Sequence, residues 1–94
     1  MSIIDLTETR KKLNKLDKEL IRILSKRMSL AEDVAKFKKV HDMPIRQPER
    51  EEEIIQSKRK LAEKLKLNPD FIEKILQIIM DEGSRLQEEI INKL

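Results

Sequence analysis

Residues 5–40, DLTETRKKLNKLDKELIRILSKRMSLAEDVAKFKKV, contain neither glycine nor proline. Their apolar positions include Leu6, Leu13, Leu16, Leu20, Ile23, Leu24, Ala31 and Val34, at spacings of three, four and seven, which predicts an amphipathic helix. At 1.5 Å per residue it would be about 50 Å long. A chain of 94 residues cannot cover one face of such a rod with what remains of it. A second copy of the chain is the expected cover.

HDMPIRQP (residues 41–48) ends this helix, because Pro44 removes a donor and biases Met43 away from helical angles. Pro48 suits the first turn of a second helix, with Glu49 and Glu51 complementing its positive end. That helix is expected over about 48–65, with Ile54, Ile55, Leu61, Ala62 and Leu65 inward. Asn68-Pro69-Asp70 reads as N-cap, first-turn proline and N-terminal acid of a third helix, about 69–93. Its inner stripe is Ile72, Leu76, Ile79, Gly83, Leu86, Ile90 and Leu94. The expected architecture is all-α: three helices with a very long first one, in a single domain spanning 1–94.

Composition narrows the function classes. One glycine and three prolines argue against a strand-rich fold with many tight turns. The absence of cysteine excludes a disulfide framework and a thiolate metal site, and fits a reducing compartment. No apolar run nears the roughly 20 residues that span a bilayer. The opening MSIIDLTETRKK lacks a leader's order of charge and apolar core. A soluble, cytoplasmic protein is expected, with no membrane partner. The net charge is +3, but 21 basic and 18 acidic residues interleave instead of forming the basic stripe of a nucleic-acid binder.

Function should show where polar residues interrupt apolar stripes. On the first helix Arg10, Asp17, Arg27 and Lys38 fall on or beside the inner face. Arg27 and Lys38, eleven residues apart, point within about 20° of one another and stand about 16 Å apart along the axis. Two long cationic side chains can close that distance around a small anion, although such residues also snorkel to water. Arg10 lies about 25 Å from Arg27 along the helix, so the two cannot share a pocket within one chain. In an antiparallel pairing of two first helices, Arg10 of one chain reaches the Arg27 end of the other, giving two symmetric sites. Gly83 and Gln87 sit on the inner face of the third helix. A mid-helix glycine costs about 1 kcal/mol relative to alanine, which suggests a close approach there. An inward Gln87 needs hydrogen-bond partners, as a core amide or in a site. Arg50 and Glu51 open the second helix, where dipole compensation alone would account for them. His41 has no neighbour that would make a metal site or a dyad, so it is given no role.

The order Arg10…Leu13…Leu16-Asp17…Leu20…Leu24…Arg27…Ala31…Val34…Lys38, then Pro44-Ile45-Arg46…Glu49-Arg50-Glu51, then Gln77…Ile79…Gln87 resembles the all-helical AroQ-type chorismate mutases over residues 6 to 91. The resemblance implies an intertwined homodimer of three-helix subunits that rearranges chorismate to prephenate, on the way to phenylalanine and tyrosine. By the same resemblance, Arg27 and the partner chain's Arg10 bind the substrate carboxylates. Lys38 and Gln87 donate to the ether oxygen of the breaking bond. Glu51 accepts from the substrate hydroxyl with Arg50 in support, and Arg46 lies in the loop over the site. Gln47 stands where the best-known bacterial members carry Asp, and Gly83 where they carry Ser. At 47 the implied contact is partly through the backbone, and at 83 a water can replace the lost hydroxyl.

The residue inventory suits that chemistry. A pericyclic rearrangement needs no nucleophile, proton transfer, metal or cofactor. It needs guanidinium forks that hold two carboxylates in a compact shape, and donors where charge develops on the ether oxygen. A neutral Gln87 also implies activity over a wide pH range. Two rivals remain: an isochorismate–pyruvate lyase on the same fold, for which the same Arg, Lys and Gln would serve, and a non-catalytic helical dimerisation or nucleic-acid-binding module. The Pro-Ile-Arg loop and Glu51 favour the mutase over the lyase, and inward cations disfavour the module.

Overall fold

The computed structural model describes residues 5–94; residues 1–4, the start of the stretch considered above as a leader, lie outside it. The described chain is three helices: α1 (Leu6–Val40), α2 (Pro48–Lys64) and α3 (Pro69–Lys93), in agreement with the expected all-α class. The ends follow local chemistry. Asp5 caps α1, its Oδ1 accepting from Thr7 N at 2.9 Å and its carbonyl from Thr9 N at 3.0 Å. Asn68 caps α3 by accepting from Asp70 N at 2.9 Å, with Pro69 in the first turn. Gln47 precedes α2 without a side-chain cap.

Two left-handed residues end the first two helices. Asp42 (φ 52°) follows α1, where Met43 N bonds Lys38 O at 2.8 Å and Asp42 N bonds Lys39 O at 3.3 Å. Lys66 (φ 61°) repeats the arrangement after α2, with Leu67 N on Ala62 O at 2.8 Å and Lys66 N on Glu63 O at 3.1 Å. Both are Schellman-type caps made without glycine. The first turns the chain into the 41–47 segment at the end of α1 that carries Lys38.

The chain divides into two compact units, up to Leu30 and from Ala31 to Leu94. In the second unit α2 packs on α3. Its buried side chains are Ala31, Ala35, Ile55, Ala62 and Met80. Arg59 ties α2 to the start of α3, bonding Asp70 at 3.0 Å and Glu73 at 3.1 Å. The inward faces expected from periodicity are partly realised. Ile55 and Ala62 are buried, but Leu61 and Leu65 stay exposed, as does Leu94, and Met80 rather than a stripe residue is the buried side chain of α3. So small a unit fills its centre with alanines and a pliable methionine and leaves large side chains outside.

In the unit up to Leu30 no described residue is buried. Leu6, Leu13, Leu16, Leu20, Ile23 and Leu30 are each 54 to 61% exposed. Leu6, Leu13 and Leu20 recur every seven residues, as do Leu16, Ile23 and Leu30, with Leu16 and Ile23 three after Leu13 and Leu20, which is the spacing of a coiled-coil seam. Arg27 falls on that seam seven residues after Leu20. No described helix is long and apolar enough to cross a membrane.

Candidate functional site

The second unit gathers three helix segments around Lys38. The last turn of α1 directs the half-buried Lys38 side chain to two acceptors. Its Nζ donates to Gln87 Oε1 on α3 at 2.9 Å and to the Ile45 carbonyl of the connecting segment at 2.5 Å. Lysine can only donate, so it takes the oxygen of the Gln87 amide, and the NH2 group remains as a donor. One ammonium proton is also left over. A cation and an amide therefore stand side by side with donors to spare.

Glu51, in the first turn of α2, is near enough for its charge to act on Lys38. Arg46 grips it with a two-pronged fork, Nη2 to Oε1 at 2.5 Å and Nε to Oε2 at 3.2 Å. The third arm of the guanidinium, Nη1, reaches Asp81 Oδ1 on α3 at 3.0 Å, and Gln77 Nε2 donates to the same oxygen at 3.0 Å. Gln77 and Arg46 together hold the Asp81 carboxyl below its ordinary value.

Burial pushes the Lys38 ammonium below the usual lysine value; the Glu51 carboxylate pulls it back up, and the Arg46 cation adds to the lowering. If the protonated ammonium is the working form, activity is lost as pH rises through this lowered pKa. The alkaline limb of kcat/KM is expected to begin below pH 10.5, the ordinary lysine value, with no acid or neutral limb from Gln87. Replacing Gln87 by Glu should confine activity to acid pH, where that carboxyl keeps its proton. A steep loss near neutrality in the parent chain would contradict these roles.

Of the residues singled out in the sequence, Lys38, Gln87, Glu51 and Arg46 are brought together. Gly83 lies one turn before Gln87 on α3. A Cβ added there would meet nothing within 4 Å, so no close approach within the described chain explains the glycine. Gln47 is half-buried beside the network, with its carbonyl accepting from Glu51 N at 3.0 Å. Arg50 does not join: it is exposed and paired with Glu53 at 3.2 Å. Arg10 and Arg27 belong to the unit up to Leu30 and are exposed, because nothing within that unit covers its seam; neither has a salt-bridge partner among the described residues. His41 stacks on Phe37 at 4.1 Å between ring centroids. Sequence reasoning missed Asp81 and the Ile45 carbonyl; the i, i+4 pair Gln77 and Asp81 was the available signal for the first, and nothing in residue types marks a backbone acceptor.

An open depression on α2, lined by Pro48, Glu49, Glu52, Glu53 and Gln56, carries three carboxylates and no cation, so it does not suit an anionic ligand. Among the described residues no cluster of His, Asp or Glu is placed to hold a metal ion.

The described site is thus a lysine–glutamine pair beside a carboxylate held in an arginine fork, in an all-helical chain. The chain belongs to the chorismate mutase type II family, whose sequence profile matches residues 9–88. It is 34% identical over 88 residues to a chorismate mutase of Methanocaldococcus jannaschii, covering 94% of this chain and 89% of that one. It is 40% identical over 78 residues to a T-protein of Haemophilus influenzae, covering 83% of this chain and 21% of that one. A bifunctional chorismate mutase/prephenate dehydratase of Buchnera aphidicola is 33% identical over 89 residues, 95% of this chain and 23% of its own length. The chain thus spans less than a quarter of the length of these last two relatives.

Proposed function

We propose that this chain is a chorismate mutase, which converts chorismate to prephenate in the cytoplasm as part of aromatic amino-acid biosynthesis. The observation that carries the reading is the Lys38–Gln87 pair, in which Lys38 Nζ donates to Gln87 Oε1 at 2.9 Å and the amide NH2 stays available as a second donor, in a chain of this family. The uncatalysed rearrangement is slow because an extended substrate must become compact and diaxial. Arginines that hold both carboxylates in that shape supply the conformational restraint. As the ether bond breaks, negative charge grows on its oxygen, and Lys38 and Gln87 stabilise it in a partly desolvated place. Glu51 accepts from the ring hydroxyl, with Arg50, Gln47 and Gly83 at the margin of the substrate. No metal or cofactor takes part, and nucleic acid is not a partner.

The functional unit is proposed to be an intertwined homodimer, with residues 1–94 as one domain of each subunit. Two features support it. Six half-exposed apolar residues lie along one seam of α1, each able to contribute roughly 1 kcal/mol or more on burial. Arg27 interrupts that seam, and a cation placed in an apolar interface needs an anion to meet it. The partner's Arg10 would complete the same carboxylate clamp.

Chorismate consumption followed by ultraviolet absorbance, with products separated chromatographically, tests the function. Lacking Trp and Tyr, the chain adds little absorbance of its own. Prephenate is the expected product. Pyruvate and salicylate formed from isochorismate, with chorismate untouched, would move the protein to the lyase on the same fold. Salt-sensitive binding of DNA or RNA without turnover of either would point to the non-catalytic module.

A further inference from the structure

Two consecutive residues of the segment between α1 and α2 touch all three elements of the candidate site. The Ile45 carbonyl accepts from Lys38, and the Arg46 guanidinium reaches Glu51 on α2 and Asp81 on α3. We propose that Arg46 is a positioning residue for Glu51: anchored on Asp81 and joined through Ile45 to Lys38, its fork fixes the carboxylate that receives the substrate hydroxyl. The inference rests on the chorismate mutase reading of Glu51.

The geometry leaves that carboxylate working capacity. Each Glu51 oxygen takes one N–H from Arg46 and retains a second lone pair, so a hydroxyl can donate without displacing the fork. The fork also restricts the side chain: a carboxylate held at both oxygens cannot rotate about its last bond, whereas an unheld glutamate samples several orientations. Asp81 performs the same service for Arg46. With Nη1 bound to an acid on α3, and that acid held by Gln77, the guanidinium plane is set before it meets Glu51. A lone exposed ion pair contributes little, but a bidentate pair within a network is the case in which geometry matters. The Ile45 contact adds coupling. The Ile45 carbonyl belongs to the peptide unit that leads into Arg46, so the backbone that carries the fork also carries an acceptor that orients Lys38.

The test is a double-mutant cycle on chorismate kcat/KM with the full chain, comparing Arg46→Ala, Glu51→Ala and the pair, together with Asp81→Asn and Arg46→Lys. Arg46→Ala is expected to lower kcat/KM by about tenfold in the parent and by less than about twofold once Glu51 is gone, because it acts through that residue. Asp81→Asn should cost a few-fold and likewise nothing in the Arg46→Ala background. Arg46→Lys keeps the charge and loses the fork, so it should recover less than half of the loss. A merely structural arginine would show multiplicative losses in the cycle and a lowered midpoint by circular dichroism; either multiplicativity or parental kcat/KM in Arg46→Ala overturns the proposal. A substrate-free measurement separates this from the function itself. The Arg46 Nε–Hε resonance should be protected from exchange in the parent and exposed in Glu51→Gln. Protection without chorismate turnover would leave the clip standing and remove the function, whereas turnover with an unprotected Arg46 would do the reverse.

Discussion

Replacing Lys38 by alanine is expected to lower kcat for chorismate by about 10³-fold, with helicity unchanged. One well-placed donor to a developing oxyanion contributes about 10² to 10³ in rate, and here the donor is a cation whose burial raises its effect. A second loss follows in the same step. Lys38 Nζ is what claims Gln87 Oε1, and without it the amide is free to present its oxygen, a repelling group, to the ether oxygen. A Lys38 variant should therefore lose more than a Gln87→Ala variant, which leaves the ammonium in place. Both losses fall mainly on kcat, because charge on the ether oxygen exists only in the transition state. The measurement is steady-state kinetics beside a far-ultraviolet spectrum. A fall of less than tenfold in kcat, or one confined to KM, would remove Lys38 from the chemistry.

The second large effect concerns the arginines on α1. Arg27→Ala and Arg10→Ala should each reduce kcat/KM by more than about 10²-fold, since in the proposed dimer each removes one charge-assisted clamp on a carboxylate. Mixing the two inactive proteins should restore activity. Each heterodimer then has one site with both arginines and one with neither. Random exchange of equal amounts makes half the dimers mixed, so about a quarter of the parental sites return. The control is a tagged pull-down that reports exchange. Exchange without recovery would mean that Arg10 and Arg27 do not serve one site across two chains. Full recovery of each single variant without mixing would mean that neither binds substrate.

Helix extents were nearly complete in the sequence because they rest on local rules. Pro44, Pro48 and Pro69 break or start helices through their own backbone, and Asn68 caps α3 with its own side chain. Inward faces were less legible. Leu61 and Leu65 sit at helical spacing with Ile54, yet stay exposed, because periodicity names a stripe and only neighbouring elements determine how much of it is covered. The same limit applies to Arg10 and Arg27, which fall on the expected inner side of α1 while the unit up to Leu30 has nothing of its own to cover them.

The candidate site divides in the same way. Lys38, Gln87 and Glu51 were visible as polar residues on apolar faces or at a helix start, and their types already indicated anion and hydroxyl chemistry. Their mutual distances were not visible. Lys38 and Gln87 are 49 positions apart, and their 2.9 Å contact is made by two long side chains reaching toward one another from the last turn of α1 and from α3. Three helices, their ends, and the side chains that carry charge or amide chemistry were legible in residue order, since these follow from residues within a few positions of one another. That Arg46 joins Glu51 to Asp81 and that Lys38 takes both the Ile45 carbonyl and Gln87 came only with the folded chain, while Arg50 turns to a local i, i+3 partner, Glu53. Each of those contacts depends on distances between side chains on different elements or on competing local partners, which residue order alone does not encode.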